Sequence, residues 1–379
     1  MNRQESTNFV CRRKFLREVI ATVGGLASLG LSSKLAPGYG IPPRLRGVNF
    51  DINLRRPGNI ERLYQGLPEL KGWGINCVRF NFGPFPRGGD DPTVVGKPLL
   101  ERLNETYETR YAKIVDWCLS NGIWVIFSMI FHNEDTVESK EEWPDGKGYA
   151  GFWDDEAAQA EFADAWRQFA VRFKGRKEVL FDLMNEPHGA LNTEGNEKST
   201  NGWNIVYPRA LAAIRKTDPH RWVIVEPFWG GTSRFERLFV VKDPYVIYSF
   251  HFYMPKAFTI GTNKENRYPG FFTGYPWEKP QQWDKAALAA RMQPAVEFQR
   301  KNGARILVGE FSVGLRVPFK EDRVRWVKDV LELMQERGFN DWLYWSYSAH
   351  THHPKWGGSG FEVCEDLRPL LLSHFRKNN

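Results

Sequence analysis

The sequence predicts an α/β protein, a (β/α)8 TIM barrel, on three observations. Eight strand-like segments alternate with helix-like ones along the 379 residues. Several of those strands are apolar on both faces, as a parallel sheet covered by helices requires. The rival, a doubly wound open sheet, would be favoured by a glycine-rich phosphate loop after an early strand, and no G-x-G-x-x-G or Walker pattern occurs.

Taken in order, the strands are RLRGVNF (44–50), INCVRFNF (75–82), IWVIFSMIF (123–131), EVLFDLM (178–184), RWVIVEP (221–227), VIYSFHF (246–252), ARILVGEF (304–311) and DWLYWSYS (341–348). Between them, Phe162, Trp166, Phe169 and Phe173 fall on one helical face that stops at Gly175. Val324, Val327, Leu331 and Met334 do the same before Gly338. Further helices are expected from near Asn104 to Asn121-Gly122 and over Pro208–Lys216, the second stopped by Asp218-Pro219.

Composition bounds the function. Hydrophobic residues make up 42% and charged residues 26%, the balance of a soluble globular chain. The net charge is +7, but six basic residues against two acidic ones lie within 1–37, so the rest is only slightly basic. No dense Lys/Arg run follows, which argues against a nucleic-acid partner. Fifteen tryptophans suit a site that packs flat ligands against rings. Cys77 and Cys118 sit in apolar segments and read as core residues; neither a disulfide framework nor a Cys/His zinc spacing is present, and no metal or cofactor is called for.

Residues 1–37 read as a leader and 38–379 as one catalytic barrel domain. CRRKFLRE (Cys11–Glu18) followed by the modestly apolar Val19–Ser33 resembles a twin-arginine export signal, implying a periplasmic or extracellular protein. The alternative is an uncleaved N-terminal anchor, since no A-x-A cleavage site is evident; stable membrane insertion after export is not expected, and a monomer is.

In such barrels the chemistry sits at the carboxyl ends of the strands. Polar groups recur there: Arg79 and Asn81, His132, Asn185-Glu186, Glu226, His251 and Tyr253, Glu310, and Trp345 with Tyr347. Alternation places Leu180, Asp182, Met184 and Glu186 on one face and Ile306, Val308 and Glu310 on another. If those faces fill the barrel, both glutamates point inward at its rim. Two such carboxyls suit glycosidic cleavage, in which one stays protonated for the leaving oxygen and the other stays ionised.

Asn185-Glu186-Pro187, His251-Phe252-Tyr253, Gly309-Glu310-Phe311 and Leu343–Ser346, with Arg79 in VRFNF and His132 in FHN, follow one another in an order that resembles glycoside hydrolase family 5, the cellulase family, over about residues 44 to 350. The resemblance implies a retaining β-glycosidase on a β-glycan substrate. It implies Glu186 as acid/base, Glu310 as nucleophile kept ionised by Arg79 and Tyr253, and Asn185 on the sugar 2-hydroxyl. His132 and His251 would hold hydroxyls and tune the acid, and Trp345 would floor the cleavage subsite. Asp182 would orient its neighbours. An endo-β-1,4-glucanase is the default; a mannanase, xyloglucanase, exo-β-glucosidase, transglycosylase or non-catalytic sugar-binding barrel are alternatives.

Several polar residues have blander readings. Glu226 precedes a proline as Glu186 does, but no Asn precedes it, so it reads as structural or substrate-binding. Glu134 and Asp135 read as solvated loop charges. His350, His352 and His353 invite a metal, yet no carboxylate or cysteine completes a site. The aromatic-rich stretch from Met254 to Trp283 is expected to wall one side of the cleft. Trp153, Trp229 and Trp356 are weaker candidates for sugar-stacking platforms.

Overall fold

The computed structural model describes residues 39–50, 59–82, 107–129, 152–188, 193–261, 264–347 and 365–376. Residues 1–37, read above as a leader, and His132, Glu134, Asp135, His350, His352, His353 and Trp356 lie outside the described residues.

The chain enters as β1 (Arg46–Phe50), then α1 (Asn59–Gly72), β2 (Cys77–Phe82), α2 (Ala112–Ser120, preceded by a π turn over Tyr107–Tyr111) and β3 (Trp124–Met129). There follow α3 (Glu156–Arg172), β4 (Val179–Asp182), α4 (Thr193–Thr217), β5 (Val223–Val225) and β6 (Val246–Phe252). An excursion carries α5 (Lys256–Thr259) and the strands β7 (Gly270–Phe272) and β8 (Gln281–Trp283) before α6 (Lys285–Asn302). The chain closes with β9 (Arg305–Phe311), α7 (Lys320–Glu336), β10 (Asp341–Tyr347) and α8 (Arg368–Phe375). The eight predicted strands are β1 to β6, β9 and β10. They pair in parallel and close on themselves in the order β1-β10-β9-β6-β5-β4-β3-β2.

Side-chain alternation sorts each strand into two layers. Leu45, Cys77, Ile126, Leu180, Ile224, Ile247, Leu307 and Leu343, all fully buried, form a cluster that draws on every strand segment and on no helix, which identifies it as the barrel interior. Their neighbours Val48, Val78, Val125, Phe181, Val223, Ile306 and Val308 belong instead to the cluster shared with Ile114, Trp166, Phe169, Met292 and Val327 of the helices. Two residues beyond the apolar layer, the inward positions turn polar: Arg79 follows Cys77, Ser128 follows Ile126, Asp182 follows Leu180, and Glu226 follows Ile224. All four are fully buried.

This layering corrects the expected parity on the strand bearing Glu310. Ile306 and Val308 face the helices, so simple alternation would send Glu310 outward with them. The register slips instead: Phe250 pairs with Val308 but His251 pairs with Glu310, leaving Gly309 as an extra residue. That bulge turns Glu310 into the barrel mouth. On β4 the alternation holds for Leu180 and Asp182, but the strand ends there and Glu186 is delivered by the turn that follows.

The helices hold this mouth in place. Asp155 caps α3 by accepting from the Ala157 and Ala158 N–H groups. Trp166 of that helix, fully buried on the expected face, donates its indole N–H to the Leu183 carbonyl at 3.2 Å, just before the Asn185-Glu186 turn. Trp203 of α4 does the same for the Glu226 carbonyl at 2.9 Å. Trp153, read as a sugar platform, is instead buried against Phe152 and Gly202. Cys77 and Cys118 are buried and free, and burial pushes the Cys118 thiol up to about 12. No described helix is long and apolar enough to cross a membrane.

Candidate active site

Arg79 organises the mouth. It is fully buried, and each nitrogen of its guanidinium is engaged. Nε donates to Asp182 at 2.8 Å; Nη1 donates to Asn49 at 3.0 Å and to Glu310 Oε1 at 2.8 Å. Nη2 donates to Ser128 at 2.7 Å, Asn185 Oδ1 at 2.9 Å and Glu226 Oε1 at 2.9 Å. One planar cation thus fixes side chains from β1, β3, β4 and β9 and from the segments that follow β4 and β5, which a lysine's single ammonium could not match.

Glu310 takes its second hydrogen bond from the Tyr253 hydroxyl, to Oε2 at 2.7 Å. Glu186 lies opposite, its Oε1 2.7 Å from His251 Nδ1. The same nitrogen is 3.4 Å from Glu310 Oε2, so the imidazole stands between the two carboxyls. Its Nε2 lies 3.0 Å from Glu226 Oε1, a close charge contact whose alignment falls short of a hydrogen bond. Two glycines give this ring its space. A Cβ at Gly309 would come within 2.5 Å of Ser249 Oγ and 3.1 Å of His251 Nε2, and one at Gly230 within 3.1 Å of the ring carbons.

Electrostatically the mouth is crowded with carboxyls. Burial raises Glu310 above its ordinary value, and the charges of Glu186 and Glu226 add to that, against the pull of His251 and Arg79. Arg79 and Tyr253, the neighbours expected to keep Glu310 ionised, both bond to it, and the Arg79 charge pulls against the burial that raises it. Burial and the Glu226 charge likewise push Asp182 up against Arg79. Glu226 goes the other way. Burial opposes its ionisation, but His251, Arg79 and the Glu186 N–H together hold it below the ordinary range. Burial also opposes a charged His251, yet Glu226 and Glu310 keep it well above the ordinary histidine value.

The structure brings together Arg79, Asn185, Glu186, His251, Tyr253 and Glu310 among the sequence-predicted residues. Trp345 lies half-buried on β10, near the same end of the barrel. Sequence reasoning missed Asn49 and Ser128, whose only signal was polarity at an inward strand position, and it set Glu226 aside although that carboxylate touches Arg79, His251 and Glu186. Glu186, His251 and Glu310 each offer an atom within 4.8 Å of the others, a spacing a metal ion could also use, but two acids and an imidazole already paired to Arg79, Tyr253 and Glu226 are equally complete as a proton-handling group.

A closed parallel barrel with paired glutamates and a buried arginine at its carboxyl mouth is the architecture of a barrel glycoside hydrolase. The chain belongs to glycosyl hydrolase family 5, the cellulase family, whose model matches residues 42–351, and it is a glycoside hydrolase. Endoglucanase C of Acetivibrio thermocellus is 27% identical over 327 residues, covering 78% of this chain and 84% of that protein. Endoglucanase H of the same species is 26% identical over 308 residues, but the chain spans only 29% of its length. Among solved structures, the endoglucanase Cel5A of Thermotoga maritima superposes with a TM-score of 0.61 at 23% identity, covering 87% of this chain and 96% of that one. The cellulose synthase subunit Z of Clostridioides difficile does so at 0.60 and 23%, covering 88% and 99%.

Proposed function

We propose that the protein is a retaining endo-β-1,4-glucanase-like hydrolase in which Glu310 is the nucleophile and Glu186 the acid/base. The observation that carries this reading is the separation of the two carboxyls, whose nearest-used oxygens lie within 4.8 Å of each other. Retaining enzymes place the pair roughly 5–5.5 Å apart, whereas inverting enzymes need about 6.5–9.5 Å to admit a water. Glu310 Oε2, oriented by Tyr253, attacks the anomeric carbon while Glu186 gives its proton to the departing glycosidic oxygen. Water, deprotonated by Glu186, then releases the sugar from Glu310. Asn185, pinned by Arg79, is available to the 2-hydroxyl; His132 and Trp345 are assigned to substrate by the family resemblance.

A β-linked glucan is the favoured substrate, supported by the endoglucanase relatives. The Thermotoga maritima Cel5A was solved with cellobiose and with mannotriose. The same barrel mouth therefore keeps β-mannan on the test panel for this chain. Export through a twin-arginine route, with residues 1–37 as the leader and 38–379 as a single catalytic domain acting as a monomer, completes the proposal. Mass spectrometry of the mature N-terminus tests the leader. Proton NMR of the first product anomer from β-glucan, xyloglucan and mannan tests the chemistry. Initial release of the β-anomer, abolished by Glu310→Ala and Glu186→Ala, is expected; initial release of the α-anomer would overturn the retaining assignment.

A further inference from the structure

Glu186 is held in a backbone conformation that a glutamate rarely adopts. Its φ is +44°, in the left-handed region that costs a residue with a Cβ roughly 1–2 kcal/mol. Such a turn persists only if its surroundings fix it. Here they do so from both sides of the residue. The Glu186 N–H donates to Glu226 Oε2 at 2.8 Å. Its carbonyl lies 2.5 Å from His188 Nδ1, and because a carbonyl only accepts, that nitrogen carries its proton and donates. The His188 ring is in turn stacked on Trp229, centroids 3.9 Å apart and planes 15° from parallel. Trp229 is itself left-handed, at φ +57°, and its N–H donates to the Pro187 carbonyl at 3.0 Å. The segment after β5 thus grips the Pro187 carbonyl directly and the Glu186 carbonyl through the stacked His188.

We infer that His188, clamped against Trp229, is a positioning residue for the acid/base: it holds the Glu186 backbone in its left-handed turn and so sets where the carboxyl meets the leaving oxygen. This rests on the reading of Glu186 as the acid. The geometry makes a distinction that general stability would not. His188 bonds to the carbonyl of the acid itself, whereas Glu310 is held by Arg79 and Tyr253, so its loss should disturb proton delivery more than nucleophilic attack. The hydrogen bond from His251 acts on the far end of the side chain, whereas the His188 bond acts on the backbone from which that side chain departs.

The test compares leaving groups. With 2,4-dinitrophenyl β-cellobioside the departing phenolate needs no proton, whereas with phenyl β-cellobioside it does. The parameter is kcat/KM, which reports formation of the glycosyl-enzyme and not its breakdown. His188→Phe keeps a ring against Trp229 but removes the donor; His188→Asn keeps an N–H near the Nδ1 position but removes the stacked ring. His188→Phe is expected to lose about 10²-fold on the phenyl substrate, the scale of a misplaced catalytic group, and less than about 3-fold on the dinitrophenyl one. His188→Asn is expected to recover about 10-fold of the phenyl loss, marking the hydrogen bond as the operative contact. Equal losses on both substrates by His188→Phe, or no loss on either, would overturn the inference. Glu186→Ala serves as the reference for the reading beneath it. If that variant shows no leaving-group split, the acid assignment falls and takes the clamp with it. A split in Glu186→Ala with none in His188→Phe removes the clamp alone.

Discussion

Arg79 shows how one side chain can define a site whose other members come from several strands and the segments that follow them. Its five N–H donors serve six acceptors, with Nη2 shared among three, and leave none for an additional partner. Arg79→Lys therefore keeps the charge but can orient only part of Asp182, Glu226, Asn185 and Glu310. A fall of about 10²-fold in kcat/KM is expected with polysaccharide substrate, because a misplacement near 1 Å has that effect. Measured activity within a few-fold of wild type would mean that charge alone, without the planar fork, suffices. Asp182→Asn makes the contrast. Burial and the Glu226 charge already push Asp182 up, so an uncharged isostere should be the mildest change among the carboxyls touching Arg79. Kinetics of the two variants side by side check this. At this scale the sequence was most legible where a residue type is rare in an apolar strand, as with Arg79 and His251. It was least legible for Glu226, because nothing local says that an acid after a strand will be shared by an arginine, a histidine and a backbone N–H drawn from three other segments.

At the scale of elements, the bulge in β9 carries the chemistry. All eight strands could be read from alternation and apolar runs, but a bulge depends on how two strands register against each other, and that is written in no single segment. Gly309 is its marker. Gly309→Ala places a methyl within 2.5 Å of Ser249 Oγ and 3.1 Å of His251 Nε2. Overpacking of this kind costs about 1–3 kcal/mol, and the displaced imidazole should uncouple Glu186 from Glu310. Ser249 Oγ is buried without a hydrogen-bond partner, so Ser249→Ala removes the closer obstruction at little cost. The double variant is expected to regain part of the activity lost by Gly309→Ala; a double variant as slow as the single would place the obstruction at His251 instead. The excursion between β6 and α6, read in the sequence as an aromatic-rich wall of the cleft, contains the β7–β8 pair, which pins its base through Trp283 Nε1 and the Phe272 carbonyl at 3.0 Å. Trp277 is 79% exposed and stacks on Tyr275, rings 4.7 Å apart, and the Glu186 charge is among the groups that raise Tyr275. An exposed aromatic stack in the stretch expected to wall the cleft is a candidate platform for a sugar ring. Trp277→Ala should raise KM about 5-fold on long oligosaccharides and leave short aryl glycosides unchanged, a sugar-ring stacking loss of roughly 1 kcal/mol; the same change in KM for both lengths would remove Trp277 from the cleft.

Across the whole molecule the two ends of the barrel answer to different demands. The end opposite the site is fastened by Asp341, which accepts from the Leu45 N–H at 2.7 Å and from Arg305 at 2.6 and 2.8 Å, tying β10 to β9 and to the chain entering β1. Removing a partner from such a buried pair costs roughly 3 kcal/mol. Asp341→Ala should thus lower the denaturant midpoint while leaving kcat of the folded enzyme near wild type. The mouth should behave in the opposite way. Glu310 has its carboxyl raised by burial and by Glu186 and Glu226. A carboxyl whose folded pKa exceeds its unfolded one binds its proton more tightly when folded. Its ionisation therefore removes stability as pH rises above the unfolded value of about 4.3. Glu310→Gln escapes that loss, and Arg79 keeps Asp182 and Glu226 as partners. The variant should be inactive on polysaccharide yet melt no lower than wild type at pH 7, with the difference in its favour growing between pH 4 and pH 7. Thermal unfolding at several pH values decides the matter. A variant that melts lower than wild type throughout that range would mean that the ion pair with Arg79 outweighs the crowding, and that this mouth is held together by Glu310 rather than held in spite of it.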